Sequence, residues 1–180
     1  DQISKSIDNL NQLGIFKSVS IDSDLVDEEN YNIIVNVEEK QTGEFQLGLS
    51  FGTFEGASFL TGLNESNIGG SGRSLDFTIN TSINNTAYRL NIIEPHIFST
   101  DVNLNYGINY NVDDYNSSLS YKTNTFSTNA GINYFFIDDL RHKINFEYKL
   151  IDYKVTNSSS VSDNIKNSSG TNSEINILNI

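Results

Sequence analysis

Residues 101–112 read DVNLNYGINYNV, and every even position is apolar while nearly every odd one is polar. Val102, Leu104, Tyr106, Ile108, Tyr110 and Val112 fall on one side of an extended chain, and Asn103, Asn105, Gly107, Asn109 and Asn111 fall on the other. At roughly 3.3 Å per residue, a strand of this length crosses the apolar core of a bilayer when tilted. The same period recurs on both sides. Upstream, Phe45, Leu47, Leu49 and Phe51 alternate with Gln46, Gly48, Ser50 and Gly52; Leu75, Phe77 and Ile79 alternate with Asp76, Thr78 and Asn80; Tyr88, Leu90 and Ile92 follow. Downstream come Ala130, Ile132, Tyr134 and Phe136, then Ile144, Phe146, Tyr148 and Leu150. Long two-faced strands with small polar residues on one face predict a mainly β fold, an antiparallel transmembrane β-barrel with a wet lumen.

Composition agrees. An apolar fraction of 37% is low for a soluble protein with a large core, whereas a barrel in lipid needs only one face of each strand to be apolar. No stretch approaches the roughly 18–20 apolar residues of a membrane-spanning helix, and no basic region followed by an apolar run opens the chain. A helical membrane protein is thereby excluded. The first residue is not Met, and the last segment, 174–180, stops within an alternating pattern; both features read as a piece of a longer chain. The absence of Cys removes disulfides, thiol nucleophiles and thiolate metal sites. A net charge of −12 argues against nucleic acid as a partner. Much of that acidity lies in predicted connections, at 22–29, 113–114 and 138–139.

Residues 1–40 follow a different physics. Ile3, Ile7, Leu10 and Leu13 recur at helical spacing and Gly14 is a natural stop, which predicts a helix over 2–13. A strand over 16–22, an acidic loop and a strand over 31–38 with Ile33, Val35 and Val37 on one face complete a helix-strand-strand unit. It is too small to be stable alone and reads as the C-terminal part of an α/β module. Residues 41–180 form the second region. From Gly43 onward the pattern predicts about eight strands in an open, curled sheet with an apolar convex face. Connections are expected at 54–56, at the Gly-rich turn 66–72, at Asn84 and Asn85, at 95–100, at 113–118, at 137–140 and at the long Ser/Asn-rich stretch 155–171. With the N-terminal module on the periplasmic side, the long 155–171 loop is extracellular, the loop asymmetry of outer-membrane barrels.

Charge placement tests the assignment of faces. Lys or Arg on the lipid face at mid-membrane costs roughly 2–4 kcal/mol. Asp76, Arg89, Lys143, Glu147 and Lys149 all keep to the polar face, and exceptions such as Arg73, Glu94 and Asp152 fall near strand ends. Pro95 also sits at a strand end, where a missing ladder donor matters least.

Three segments narrow the reading: VEEKQTGEFQLGLSFG at 37–52, LNESNIGGSGRSL at 63–75 and IIEPHIF at 92–98. In this order and spacing they resemble the passage from the last POTRA domain into the barrel in outer-membrane protein assembly factors of the bacterial surface antigen superfamily. ISKSIDNLNQLGIFKSV at 3–19 is similar to the second helix and following strand of a POTRA domain. The resemblance covers essentially the whole chain. It implies that residues 1–40 are the end of a periplasmic POTRA domain and that residues 41–180 are the first half of a barrel of about sixteen strands. It further implies a role in assembly and insertion of β-barrel proteins in the Gram-negative outer membrane, with no enzymatic activity and no cofactor. The implied partners are unfolded barrel clients, accessory assembly lipoproteins on the periplasmic side and outer-membrane lipid. Related translocation or secretion barrels with POTRA domains share this architecture, and a passive channel is the other membrane alternative.

In that family the first barrel strand forms the seam at which client strands add. The seam maps here onto Gly43, Glu44, Phe45, Gln46, Leu47, Gly48, Leu49, Ser50, Phe51 and Gly52. An unpaired strand edge in hydrocarbon carries backbone groups that cost several kcal/mol each if unsatisfied, and a client strand satisfies them by β-augmentation. Gly48 and Gly52 either weaken local packing at such a seam or make room in the lumen. Catalytic and metal sites find little support. His96 and His142 are far apart and near turns. Asp22, Asp24, Asp27, Glu28 and Glu29 lack the glycine of an EF-hand loop. No Ser/His/Asp spacing singles out a triad.

Overall fold

The computed structural model describes residues 2–26, 30–53, 55–97, 102–137, 140–157 and 159–179. Helix α1 (Gln2–Gln12) ends at Gly14, whose φ of 69° is the left-handed conformation that glycine adopts without strain. Strands β1 (Phe16–Leu25) and β2 (Tyr31–Glu39) pair antiparallel, with Val19 opposite Val37 and Ile21 opposite Val35. Both strands run longer than the hydrophobic pattern alone predicts, because the ladder continues through Ser23–Ile33, Asp24–Asn32 and Leu25–Tyr31 at one end and takes in Glu39 opposite Phe16 at the other. The Lys40 N–H donates to the Ile15 carbonyl at 3.1 Å and closes the unit. Asp27, Glu28 and Glu29 lie outside the described residues.

The chain then builds a second sheet from β3 (Gly43–Gly52), β4 (Gly56–Ile68), β5 (Arg73–Ser82), β6 (Asn85–Glu94), β7 (Asn103–Asp114), β8 (Tyr121–Ile137), β9 (Leu140–Val155) and β10 (Gly170–Asn179). These eight strands lie in sequence order, each antiparallel to the next, with β3 and β10 at opposite edges. The sheet is therefore open, as eight strands of a larger barrel require. Two short helices, α2 (Asn116–Leu119) and α3 (Asp163–Asn167), occupy stretches expected to be irregular. The Gly-rich turn is tighter than expected: β4 continues through a bulge to Ile68, and Gly69, Gly70 and Gly72 with φ of 62°, 75° and 73° make the reversal. Parts of four other expected connections, at 54, 98–100, 138–139 and 158, lie outside the described residues.

Register converts the sequence alternation into two surfaces. One row across all eight strands reads Glu44, Asn64, Asp76, Asn91, Gly107, Asn129, Glu147, Asn176. The adjacent row, one residue away in every strand, reads Phe45, Leu63, Phe77, Leu90, Ile108, Thr128, Tyr148, Ile175. Burial on these surfaces is the inverse of that in a soluble protein. Asn105, Thr123 and Ser127 are buried on the polar side, while Ile108, Ile132 and Phe146 are exposed on the other. Only a solvent less polar than water makes that arrangement favourable.

The middle of the polar surface is tightly interlocked. Asn105 of β7 and Asn145 of β9 meet over Gly131 of β8, with Asn105 Nδ2 donating to Asn145 Oδ1 at 3.2 Å. A Cβ at residue 131 would lie 2.5 Å from Asn145 Oδ1 and 2.7 Å from Asn105 Oδ1. At Gly107 a Cβ would lie 2.8 Å from Asn129 Oδ1, 2.9 Å from the Leu90 carbonyl oxygen and 3.1 Å from Asn91 Oδ1. Asparagine bridges over glycine thus replace the apolar interdigitation of an ordinary core.

Candidate functional site

All ten residues expected at the seam, Gly43 through Gly52, fall in β3, and among the described residues β3 pairs with β4 alone. Among the described residues its second edge, like that of β10, has no partner strand. Leu49 and Phe51 are 85% and 83% exposed, against 48% for Ile108 in the centre of the sheet, because no strand among the described residues flanks β3 on one side. Glu44, Gln46, Gly48, Ser50 and Gly52 occupy the polar side. The glycines here differ from those in the middle of the sheet. A Cβ at Gly48 would meet Leu60 at 3.4 Å, and at Gly52 nothing among the described residues lies nearer than 3.9 Å. Neither position requires glycine for space.

The other two segments singled out in the sequence, 63–75 and 92–98, come together at the end of the sheet nearest α1. Arg73 Nε donates to Glu94 Oε2 at 2.5 Å, joining the start of β5 to the end of β6. A Cβ on Gly72 would lie 3.4 Å from the Pro95 ring. The Asn67 side chain accepts the Gly72 N–H at 2.7 Å and fixes the turn. Gly72 and Pro95 face the N-terminal unit across a cavity of about 230 Å³ that is also lined by Leu13, Ile15, Ser66, Gly70, Ser71 and His96. Two of the charges that broke the alternation, Arg73 and Glu94, are therefore each other's partner. Another, Asp152, lies 3.6 Å from Lys154 at the opposite end.

The remaining candidates are not brought together. His142 stacks on Tyr134 with ring centroids 5.4 Å apart, and the His96 N–H donates to Asn103 Oδ1 at 3.2 Å. Asp22 accepts from Asn36 Nδ2 at 3.0 Å within the two-stranded sheet. Among the described residues no group of three His, Cys, Asp or Glu side chains converges as a metal site. Sequence reasoning missed Thr42 and Glu65, whose side chains meet at the start of β3. The available signal was a carboxylate in a position where the alternation asks for an apolar residue.

Comparison with known proteins agrees with this geometry. The Omp85 superfamily domain matches residues 67–179. The outer membrane protein assembly factor BamA of Buchnera aphidicola is 29% identical over 126 residues, covering 68% of this chain and 20% of that protein. The chain thus spans about a fifth of the length of this curated relative. The crystal structure of BamA from Haemophilus ducreyi lacking POTRA domains 1–3 superposes with a TM-score of 0.70 at 21% identity, over 86% of this chain and 30% of that one. The open eight-stranded sheet accordingly has the fold of part of that barrel. With an apolar outer surface and a polar inner one, the chain is a Gram-negative outer-membrane protein and belongs to the Omp85 superfamily.

Proposed function

We propose that this chain is the end of the last POTRA domain, residues 1–40, and the first half of the barrel, residues 41–180, of a factor that inserts β-barrel proteins into the outer membrane. The N-terminal unit faces the periplasm, and client strands are templated on the free edge of β3. One observation carries this reading: β3, apolar on one side and polar on the other, is the first strand of the membrane sheet and follows directly on an α/β unit, a position that β10 at the other edge does not share. Its backbone donors and acceptors in hydrocarbon cost several kcal/mol each when unsatisfied, so a client strand that pairs with them is strongly favoured. Recognition through backbone geometry accepts many client sequences, provided that they alternate with period two. No step in this mechanism needs a nucleophile, a metal or a cofactor. Unfolded barrel proteins are the substrates, and accessory lipoproteins would act from the periplasmic side.

Photocrosslinkers placed at Phe45, Leu47 and Leu49 of the full-length protein should capture a nascent barrel protein during assembly. The same groups at Tyr106 and Ile108, in the centre of the sheet, should capture none. Capture from the centre alone rejects the assignment of the seam.

A further inference from the structure

Glu65 is the last residue of β4 paired in regular register before the bulge, and it faces Gly43 at the start of β3. In its register row, which continues through Leu75, Ile92, Tyr106 and Ala130, it is the one charged residue. The carboxylate accepts hydrogen bonds from the Thr42 hydroxyl and from the Asn67 N–H, the latter at 2.8 Å. The bulge that follows Glu65 frees the Asn67 N–H from the ladder and turns it back onto the carboxylate. A Cβ at residue 43 would lie 3.0 Å from Glu65 Oε2, so Gly43 leaves the space that the carboxylate occupies. Among the described residues one other side-chain hydrogen bond joins β3 to β4, between Ser50 and Ser58 at 2.5 Å, close to the hairpin.

These contacts address a problem that any templating edge faces. An incoming strand presents the same backbone groups to the free edge of β3 as to the edge of β4 beneath it. Adding to β3 gains a ladder, whereas displacing β3 exchanges one ladder for another at almost no cost in backbone hydrogen bonds. The β3–β4 hairpin holds one end of β3 covalently, so fraying starts at the other end, where Thr42 and Glu65 meet.

We propose that Glu65, acting through Thr42, is a positioning residue that clasps the foot of β3 to β4, so that a client strand adds to β3 and does not replace it. The proposal rests on β3 being the templating edge. Hydrogen–deuterium exchange on the full-length protein in lipid vesicles, without client, tests it. Thr42→Val and Glu65→Ala should each speed exchange of the β4-bonded amides within 43–47 about tenfold, leaving β7 unchanged. The double variant should exchange no faster than either single variant, and Thr42→Ser should retain the native rate. In client crosslinking, the Thr42→Val variant should yield adducts on β4 that the native protein does not form. Unchanged exchange in both single variants, or loss of protection in Thr42→Ser, overturns the clasp. The exchange readout needs no client: if the clasp fails, capture of clients at β3 persists, and if templating fails, the exchange difference persists.

Discussion

Strands β3 and β8 carry the same alternation, yet their surroundings are opposite. At Gly131 in β8, asparagines from both neighbouring strands close over the glycine within 2.7 Å of where a methyl group would sit. At Gly48 and Gly52 in β3 there is space for that methyl group. One strand is locked between two partners; the other, among the described residues, has one. The contrast teaches that glycine in a membrane strand has two physical meanings. It is either a gap bridged by neighbours, where any side chain strains the sheet, or a position where little packing is lost when the strand changes partner.

Substitutions can break this comparison. The largest effect is expected on the property that both strands share. Ile108→Lys puts a charge on the apolar face near the centre of β7 and should cost about 2–4 kcal/mol, while Asn109→Lys, one residue away on the polar face, should cost far less. Denaturant unfolding of the full-length protein from vesicles, followed by heat-modifiable gel migration, measures both. Next, Gly131→Ala should destabilise by about 1–3 kcal/mol through overpacking against Asn105 and Asn145, whereas Gly48→Ala should stay within about 0.5 kcal/mol of the native protein. Equal losses at the two glycines would erase the distinction between the locked strand and the open one. A smaller effect is expected where β5 meets β6. Arg73→Ala and Glu94→Ala should each lower the temperature of heat modification slightly, and the double variant should lower it no further, since both remove one ion pair.

The strands were legible because period two is a local property. Each strand carries its own assignment to lipid or lumen, and charges such as Asp76, Arg89 and Glu147 obey it one by one. The helix over Gln2–Gln12 was legible for the same reason, from Ile3, Ile7 and Leu10. Helices α2 and α3 were not, because NSSL and DNIKN are too short and too polar to show a period. The pairings Arg73–Glu94 and Thr42–Glu65 were hidden differently. Their partners lie 21 and 23 residues apart, and only the register of antiparallel neighbours brings them together. What the sequence did show was the anomaly, a charge on the apolar side, without its partner. The Asn–Gly bridges needed three strands in register at once, so Gly107 and Gly131 read in sequence only as small residues on a polar face.

The reading of β3 as a template stands or falls on register. Single cysteines at positions 45, 47 and 49 of the full-length protein, trapped as disulfides with cysteines along the last strand of a client during assembly, would report it directly. β-augmentation predicts a ladder: each two-residue step along β3 moves the preferred client position by two residues in a constant direction. Disulfides that form at one client position irrespective of the β3 position, or that form equally well from Tyr106 and Ile108, would contradict it.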